Sequence, residues 1–472
     1  MSGLYATLNA TVSALNAESL QINTTGKNLA NVNNANYARE VTTVGSMGTV
    51  QTPQGPVSTG LVATGVQQLR SALLDSQVRS AGSAAAYFNT LQSAYQQAQA
   101  GLGQTVSSSS ATGTAASSNT GLNAALGNFF NAFQSFAANP TDTGQRQAVL
   151  ASVTALSSQL QGTDQNLAQV QSGLATQASS DVTSANSLLS NIASLNGQIV
   201  QFESNNPGSA VDLRDQREAD LEQLAGKLPI TVTEGATGAD QVTATDASGN
   251  PVVLVNKAAV TGPITVSGTQ VSAGNPATVL SLASGSIQGA IDAGAQGIQT
   301  LRDNLNQLAG QLVTSVNSVY NPTGTTGNLF TAAGTTAATI GLDPTVTAAN
   351  LKASDGGAAG DNTVALGVAN LASQQFSVAG GAQIDGTFSG FYNASVSGFG
   401  QTLATVNNQA ANEANIQTLV TTQRSSVSGV SLDEEMANLL MYQRSYQASS
   451  QVFQAVDSLV DTVINSLGTI TA

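Results

Sequence analysis

Val430-Ser431-Leu432-Asp433-Glu434-Glu435-Met436-Ala437-Asn438-Leu439, running on through Tyr442-Gln443-Arg444-Ser445-Tyr446-Gln447-Ala448-Ser449, reads as the start of a long helix. Ser431 is a good N-cap, and Glu434 three residues on completes a capping box. Asp433, Glu434 and Glu435 fall in the first turn, where the helix dipole favours negative charge. Helix-start chemistry therefore accounts for the three carboxylates without an acid–base or metal role. Further on, Leu439, Tyr442, Tyr446, Ser449, Phe453, Val456, Val460, Val463 and Leu467 alternate three and four apart. Such a stripe predicts a helix about 40 Å long that needs a partner for one face.

The other end of the chain has a matching pattern. Leu8, Leu15, Ile22 and Leu29 recur at every seventh position, with Leu4, Thr11, Glu18, Thr25 and Val32 interleaved. This is a heptad register with one aliphatic seam and one mixed seam. The Asn-rich run from Asn28 through Asn31, Asn33, Asn34 and Asn36 then ends the helix, because Asn tolerates left-handed backbone and bonds its own chain. Tyr37 follows as an apolar ring with a polar tip, and then Arg39. Two readings stand at this point: two amphipathic helices docked on a globular core, or mutual pairing of the two ends.

Between the ends, helical spacing runs from Leu74 to Tyr95, and a Gly/Ser/Thr-rich stretch at 101–120 reads as a mobile loop. No Pro interrupts Arg146 to Phe202, so one very long helix or two in series is expected. The charge-dense segment Asp212 to Glu222 reads as a short exposed helix. After Pro229 come five short β-branched runs separated by Gly-containing turns, a small inserted β domain. Helical spacing resumes at Ile287. Residues 321–386 look irregular, and a last long helix is expected from about Phe388 to Val427.

Composition removes much conventional chemistry. The chain has 472 residues with no Cys, His or Trp, which excludes the usual zinc, thiolate and triad arrangements. Only 8% of residues are charged and 4% aromatic, so the core is expected to be thin, with Leu, Val and Ala stripes rather than large aromatic plugs. Net charge is −14 and the 13 basic residues are scattered, which argues against nucleic acid and anionic membrane partners. Neither a secretory leader nor an apolar span is recognised. No cofactor, metal ligand or catalytic residue is assigned.

The Asn-rich turn closing an N-terminal heptad helix resembles the signature of flagellar rod, hook and hook-associated proteins. The Ser-Leu-Asp-Glu-Glu helix start, with its Tyr-Gln-Arg-Ser-Tyr-Gln-Ala run, resembles their shared C-terminal region. The motif positions are Asn28, Asn31, Asn33, Tyr37, Arg39, Leu432, Asp433, Glu434, Glu435, Gln443 and Arg444. Leu213-Arg214-Asp215-Gln216-Arg217 and Gly360-Asp361-Asn362, in a helical rather than β-rich middle, narrow the resemblance to the hook-associated protein 1 family. It implies a mainly α protein with a small inserted β domain: paired terminal coiled-coil helices (1–45 with 430–472), an elongated helical bundle (46–228 with 284–429) and a β insert (229–283). The short irregular and β segments suggest that an outer domain is absent.

The resemblance further implies a non-catalytic hook–filament junction subunit, exported through the flagellar type III apparatus without a cleaved signal. Its partners would be copies of itself in a ring, the hook protein, hook-associated protein 3 and an export chaperone. The expected subunit interface is Leu4, Leu8, Leu15, Ile22 and Leu29 with Leu439, Tyr442, Tyr446, Phe453, Val456, Val460, Val463 and Leu467. Rival readings are a distal rod or hook subunit, a secreted coiled-coil adhesin and a carboxylate-based secreted hydrolase.

Overall fold

A computed structural model describes residues 2–52, 55–58, 60–103, 121–324, 327–358 and 360–468. The first helix, α1 (Ser2–Ala30), is followed by four strands, β1 (Glu40–Ser46), β2 (Thr49–Thr52), β3 (Gly55–Ser58) and β4 (Leu61–Gln68). β1 and β4 pair antiparallel with a register shift at Thr43/Val44, and β2 and β3 pair antiparallel between them. Helical spacing could not reveal this arm, whose Thr, Val and Gly content favours extended chain. The stretch 46–68, expected to open the helical rod, is therefore largely strand.

Four helices follow: α2 (Ala72–Gly101), α3 (Gly121–Ala138), α4 (Thr143–Phe202) and α5 (Val211–Lys227). The loop expected at 101–120 lies, from residue 104, outside the described residues. α4 is a single helix of 60 residues, about 90 Å long. Its N-terminus is capped by Asp142, whose side chain accepts from the Gly144 N–H at 2.7 Å.

Next come β5 (Thr231–Glu234), β6 (Asp240–Thr245), β7 (Pro251–Asn256), β8 (Ala259–Val260), β9 (Thr265–Ser267), β10 (Gln270–Ala273) and β11 (Thr278–Val279). They form a four-stranded sheet in the order β5-β6-β7-β8 and a three-stranded sheet in the order β11-β10-β9. α6 (Ser286–Asp292) passes through a π turn at Ala293–Ile298 into α7 (Gln299–Tyr320). α8 (Thr363–Asn370) is the one α-helix described in the irregular region, and α9 (Phe388–Ser428) and α10 (Leu432–Gly468) complete the chain.

The core lies among α2–α9 and the β insert. It is not free of large rings. Phe129, Phe133, Phe136, Phe330 and Phe388 are fully buried, with Phe129 and Phe133 edge-on at 5.2 Å and Phe130 stacked on Phe388 at 5.8 Å. The expectation of a core without aromatic plugs fails because a low average hides concentration. α3 alone carries Phe129, Phe130, Phe133 and Phe136 at helical spacing. Pairs of this kind add about 0.5–1.5 kcal/mol beyond their area burial.

α5 also departs from expectation. Instead of an exposed helix, it carries Arg217, Glu218, Leu221 and Leu224 into the interior. Its charges bind almost every neighbouring element. Asp215 accepts from Arg70 at 2.7 Å, Glu218 pairs with Arg79 of α2, and Glu222 pairs with Arg424 of α9. Arg214 bridges Glu203 and Glu234, each at 2.7 Å. Arg217 binds Asp240 of β6 at 2.9 Å and Asn196 of α4 at 2.8 Å. A charge-dense segment in a chain so poor in charge marks a junction rather than a solvated face. Burial pushes the Asp215, Glu218 and Asp240 carboxyls up from their ordinary values, and the facing arginines oppose that shift.

Candidate assembly interface at the chain ends

α1 and α10 lie side by side, and the hydrogen bonds between them fix their direction. Asn28 Nδ2 donates to Glu435 Oε2 at 3.0 Å, while Glu18 accepts from Ser445 and from Ser449, the latter at 3.0 Å. Ten residues back along α1 thus corresponds to ten residues forward along α10, so the pair is antiparallel.

The two sequence motifs meet at one clasp. Asn28, almost fully buried, uses its whole amide. Its nitrogen donates to the Glu40 carbonyl at 2.9 Å and to Glu435, and its oxygen accepts from the Tyr37 hydroxyl at 2.8 Å and the Glu40 N–H at 2.9 Å. Arg39 donates to Glu435 Oε1 at 2.7 Å and to Glu434 Oε2 at 2.9 Å, and its backbone N–H donates to the Ser428 carbonyl at 2.8 Å. The helix-start account of the acidic triplet is therefore incomplete. Glu435, only 2% exposed, reaches across to the other end of the chain. Ser431 caps weakly, accepting from the Glu434 N–H at 3.5 Å, and Asp433 is exposed.

Electrostatics at the clasp follow from burial. The Tyr37 hydroxyl is held well above the usual phenol range by burial and by the neighbouring Glu40 carboxylate. Glu40 is raised from its ordinary value near 4.5, mainly by burial, with Lys27 opposing. Its Oε1 is buried without a hydrogen bond, and the nearest cation is Lys27 at 3.8 Å.

The remaining motif positions lie outside the clasp. Asn31 is half-buried and bonds the Lys27 carbonyl at 3.0 Å, whereas Asn33, Leu432, Gln443 and Arg444 are exposed. Of the expected interface residues, Leu4, Leu8, Leu15, Ile22, Leu29, Leu439, Tyr442, Phe453, Val460 and Val463 are half-buried. Tyr446 is 41% exposed and Val456 buried; Leu467 is helical, but its side chain lies outside the described residues. α1 buries a different set most deeply, namely Thr11, Ala17, Thr24, Thr25 and Asn28. The mixed seam makes the intrachain links, and the aliphatic seam is left half open. Leu440, Met441, Val452, Leu459 and Ile464 add to the uncovered apolar surface of α10.

Among the described residues there is no group of His, Cys, Asp or Glu able to hold a metal ion, and no helix long and apolar enough to cross a membrane. Sequence reasoning did not find the partnership of Asn28, Arg39, Glu40 and Glu435, although it marked three of the four separately.

Comparison with known proteins gives the class first. Residues 421–467 match the family model described as flagellar basal body rod FlgEFG protein C-terminal, so this end of the chain is similar to that of the flagellar rod, hook and hook-associated group of structural proteins. Residues 108–330 match the flagellar hook-associated protein FlgK helical domain. The chain is 25% identical to flagellar hook-associated protein 1 of Bacillus subtilis over 99% of both chains. It is 24% identical to the proteins of that name from Escherichia coli and Salmonella typhimurium, over 97% of this chain and 99% of theirs. Along nearly its whole length, then, it is similar to proteins of the hook-associated protein 1 family. The Escherichia coli alignment runs over 564 positions against the 472 residues here, so that relative has segments with no counterpart in this chain. A solved structure of the flagellar hook junction protein FlgK from Burkholderia pseudomallei is also similar, at 23% identity and a TM-score of 0.45, covering 54% of this chain and 46% of that one.

Proposed function

We propose that this chain is a non-catalytic subunit of the hook–filament junction, whose paired terminal helices pack against those of neighbouring copies in a ring. The observation that carries this reading is the half-open aliphatic seam along α1 and α10, in a molecule whose middle buries most of its apolar stripes. Removing one such side chain from water contributes about 1.5–3 kcal/mol, and isolated helices of this length are marginal. The ends are then largely disordered in dilute monomer and order on assembly. On this reading the ring sits between the hook protein and hook-associated protein 3. The chain reaches the cell exterior through the flagellar type III route without a cleaved signal, accompanied by an export chaperone. Joining two filaments of different mechanics requires contacts rather than catalysis.

Deletion of the gene followed by electron microscopy tests the proposal. Bare hooks with flagellin released to the medium are the expected outcome; normal filaments on the deletion strain would remove the junction assignment.

A further inference from the structure

The apolar seams of the terminal pair repeat every seven residues and cannot fix their own alignment. Leu8, Leu15, Ile22 and Leu29 map onto one another under a seven-residue slip, as do Tyr446, Phe453, Val460 and Leu467. The two other seams each contain an exception. Glu18 is the one charged member of Leu4, Thr11, Glu18, Thr25 and Val32, and Ser449 is the one hydroxyl-bearing aliphatic position in Tyr442, Ser449, Val456 and Val463. These two exceptions meet: Ser449 Oγ donates to Glu18 Oε1 at 3.0 Å, and Ser445 donates to the same oxygen.

We infer that Glu18, held by Ser445 and Ser449, sets the axial register of α1 against α10. A slip of one heptad toward the C-terminus would set its carboxylate against Val452 and Val456, and the opposite slip would set it against Asn438 and Tyr442. The first leaves a half-buried carboxylate facing valines without a donor, which is disfavoured. Glu18 Oε2 is already buried without a hydrogen bond, so the contact is not built for maximal stability. A polar group that fixes alignment at a cost in stability is a known coiled-coil device. The clasp reinforces it, since Asn28 and Glu435 stand ten residues from Glu18 and Ser445 along their respective helices.

The inference rests on the assembly reading above, and its test separates the two. The chain lacks cysteine, so introduced pairs report register without background. Thr25 and Asn438 line the same small cavity at the clasp, which makes T25C/N438C the in-register reporter; T11C/L459C reports a one-heptad slip. In isolated flagella the first pair is expected to bridge within one chain and the second not to. Adding E18L should cut bridging of the first pair at least two-fold and bring up the second, whereas E18Q should behave as the unsubstituted protein. S445A/S449A, which removes the donors and keeps the carboxylate, should cut bridging of the first pair without bringing up the second, because that slip still sets the carboxylate against Val452 and Val456. Unchanged bridging in E18L, loss of its first bridge without gain of the second, or absence of both variants from flagella would overturn the inference. Failure of the assembly reading appears earlier, as absence of the unsubstituted reporter chain from flagella.

Discussion

The helical middle and the terminal pair are built from similar residues and finished differently. In the middle, Leu156, Leu160, Leu167, Leu189 and Ile192 of α4 are fully buried by α3, α5 and the β insert. At the ends, Leu8, Leu15, Ile22 and Leu29 repeat just as regularly, yet stop half-covered. A stripe that meets all its neighbours within one chain gives a folded domain. A stripe that α10 and the β1–β4 arm only half cover leaves a surface whose remaining stabilisation depends on other copies.

The sharpest way to break that contrast is to end the chain at Ser431. Assembly into flagella is expected to be lost, while the main thermal transition of the purified protein stays within about 2 °C, an effect of no more than about 1–2 kcal/mol for a unit of this size. A large drop in Tm would mean that the ends are part of one cooperative core. Next in size, Phe133→Ala should lower the stability of the middle by about 3–5 kcal/mol, as read by chemical denaturation. Leu15→Ala should change monomer stability by less than about 1 kcal/mol and still weaken assembly.

A smaller effect is expected at the clasp. Asn28→Ala strands the Glu40 N–H and one Glu435 oxygen, and should cost about 1–3 kcal/mol, seen as faster hydrogen exchange in the first turns of α10 in assembled material. The smallest concerns Glu40, which faces Lys27, Tyr37, Asp212 and Asp215. Its folded pKa lies above the ordinary 4.5, so between those values the native state holds more protons than the unfolded state. The stability due to this group is fully present below 4.5 and falls as pH rises through the folded value. Glu40→Gln should flatten the dependence of clasp protection on pH between about 4.5 and neutrality; an unchanged slope would show that another group titrates.

Sequence reading succeeded where the signal is local. The start of α10 at Leu432, the end of α1 after Ala30, the helical span of α4, read as one helix or two in series, and α9 from Phe388 all follow from caps, breakers and periodicity. It gave no strands for β1–β4, although the Pro- and Gly-containing stretch at 53–56 offered a turn signal between two Thr- and Val-containing runs. It overlooked α3, although four Phe at helical spacing were there to be read. It placed α5 at the surface because a charge run is usually solvated, and only the facing Arg70, Arg79, Arg424 and Asp240 show why these charges are buried.

The amino-acid sequence by itself determined most of the long helical segments, that both ends carry heptad seams, and that no Cys or His is present for the usual thiolate, zinc and triad chemistry. The tertiary structure decided which seam is used within the chain. Asn28 and Glu435 lie 407 positions apart, and each is an ordinary helix-end residue until the fold sets them together. Periodicity records that a face must be covered, but a repeating apolar face carries no information about its partner, whereas buried hydrogen bonds require particular atoms at particular distances.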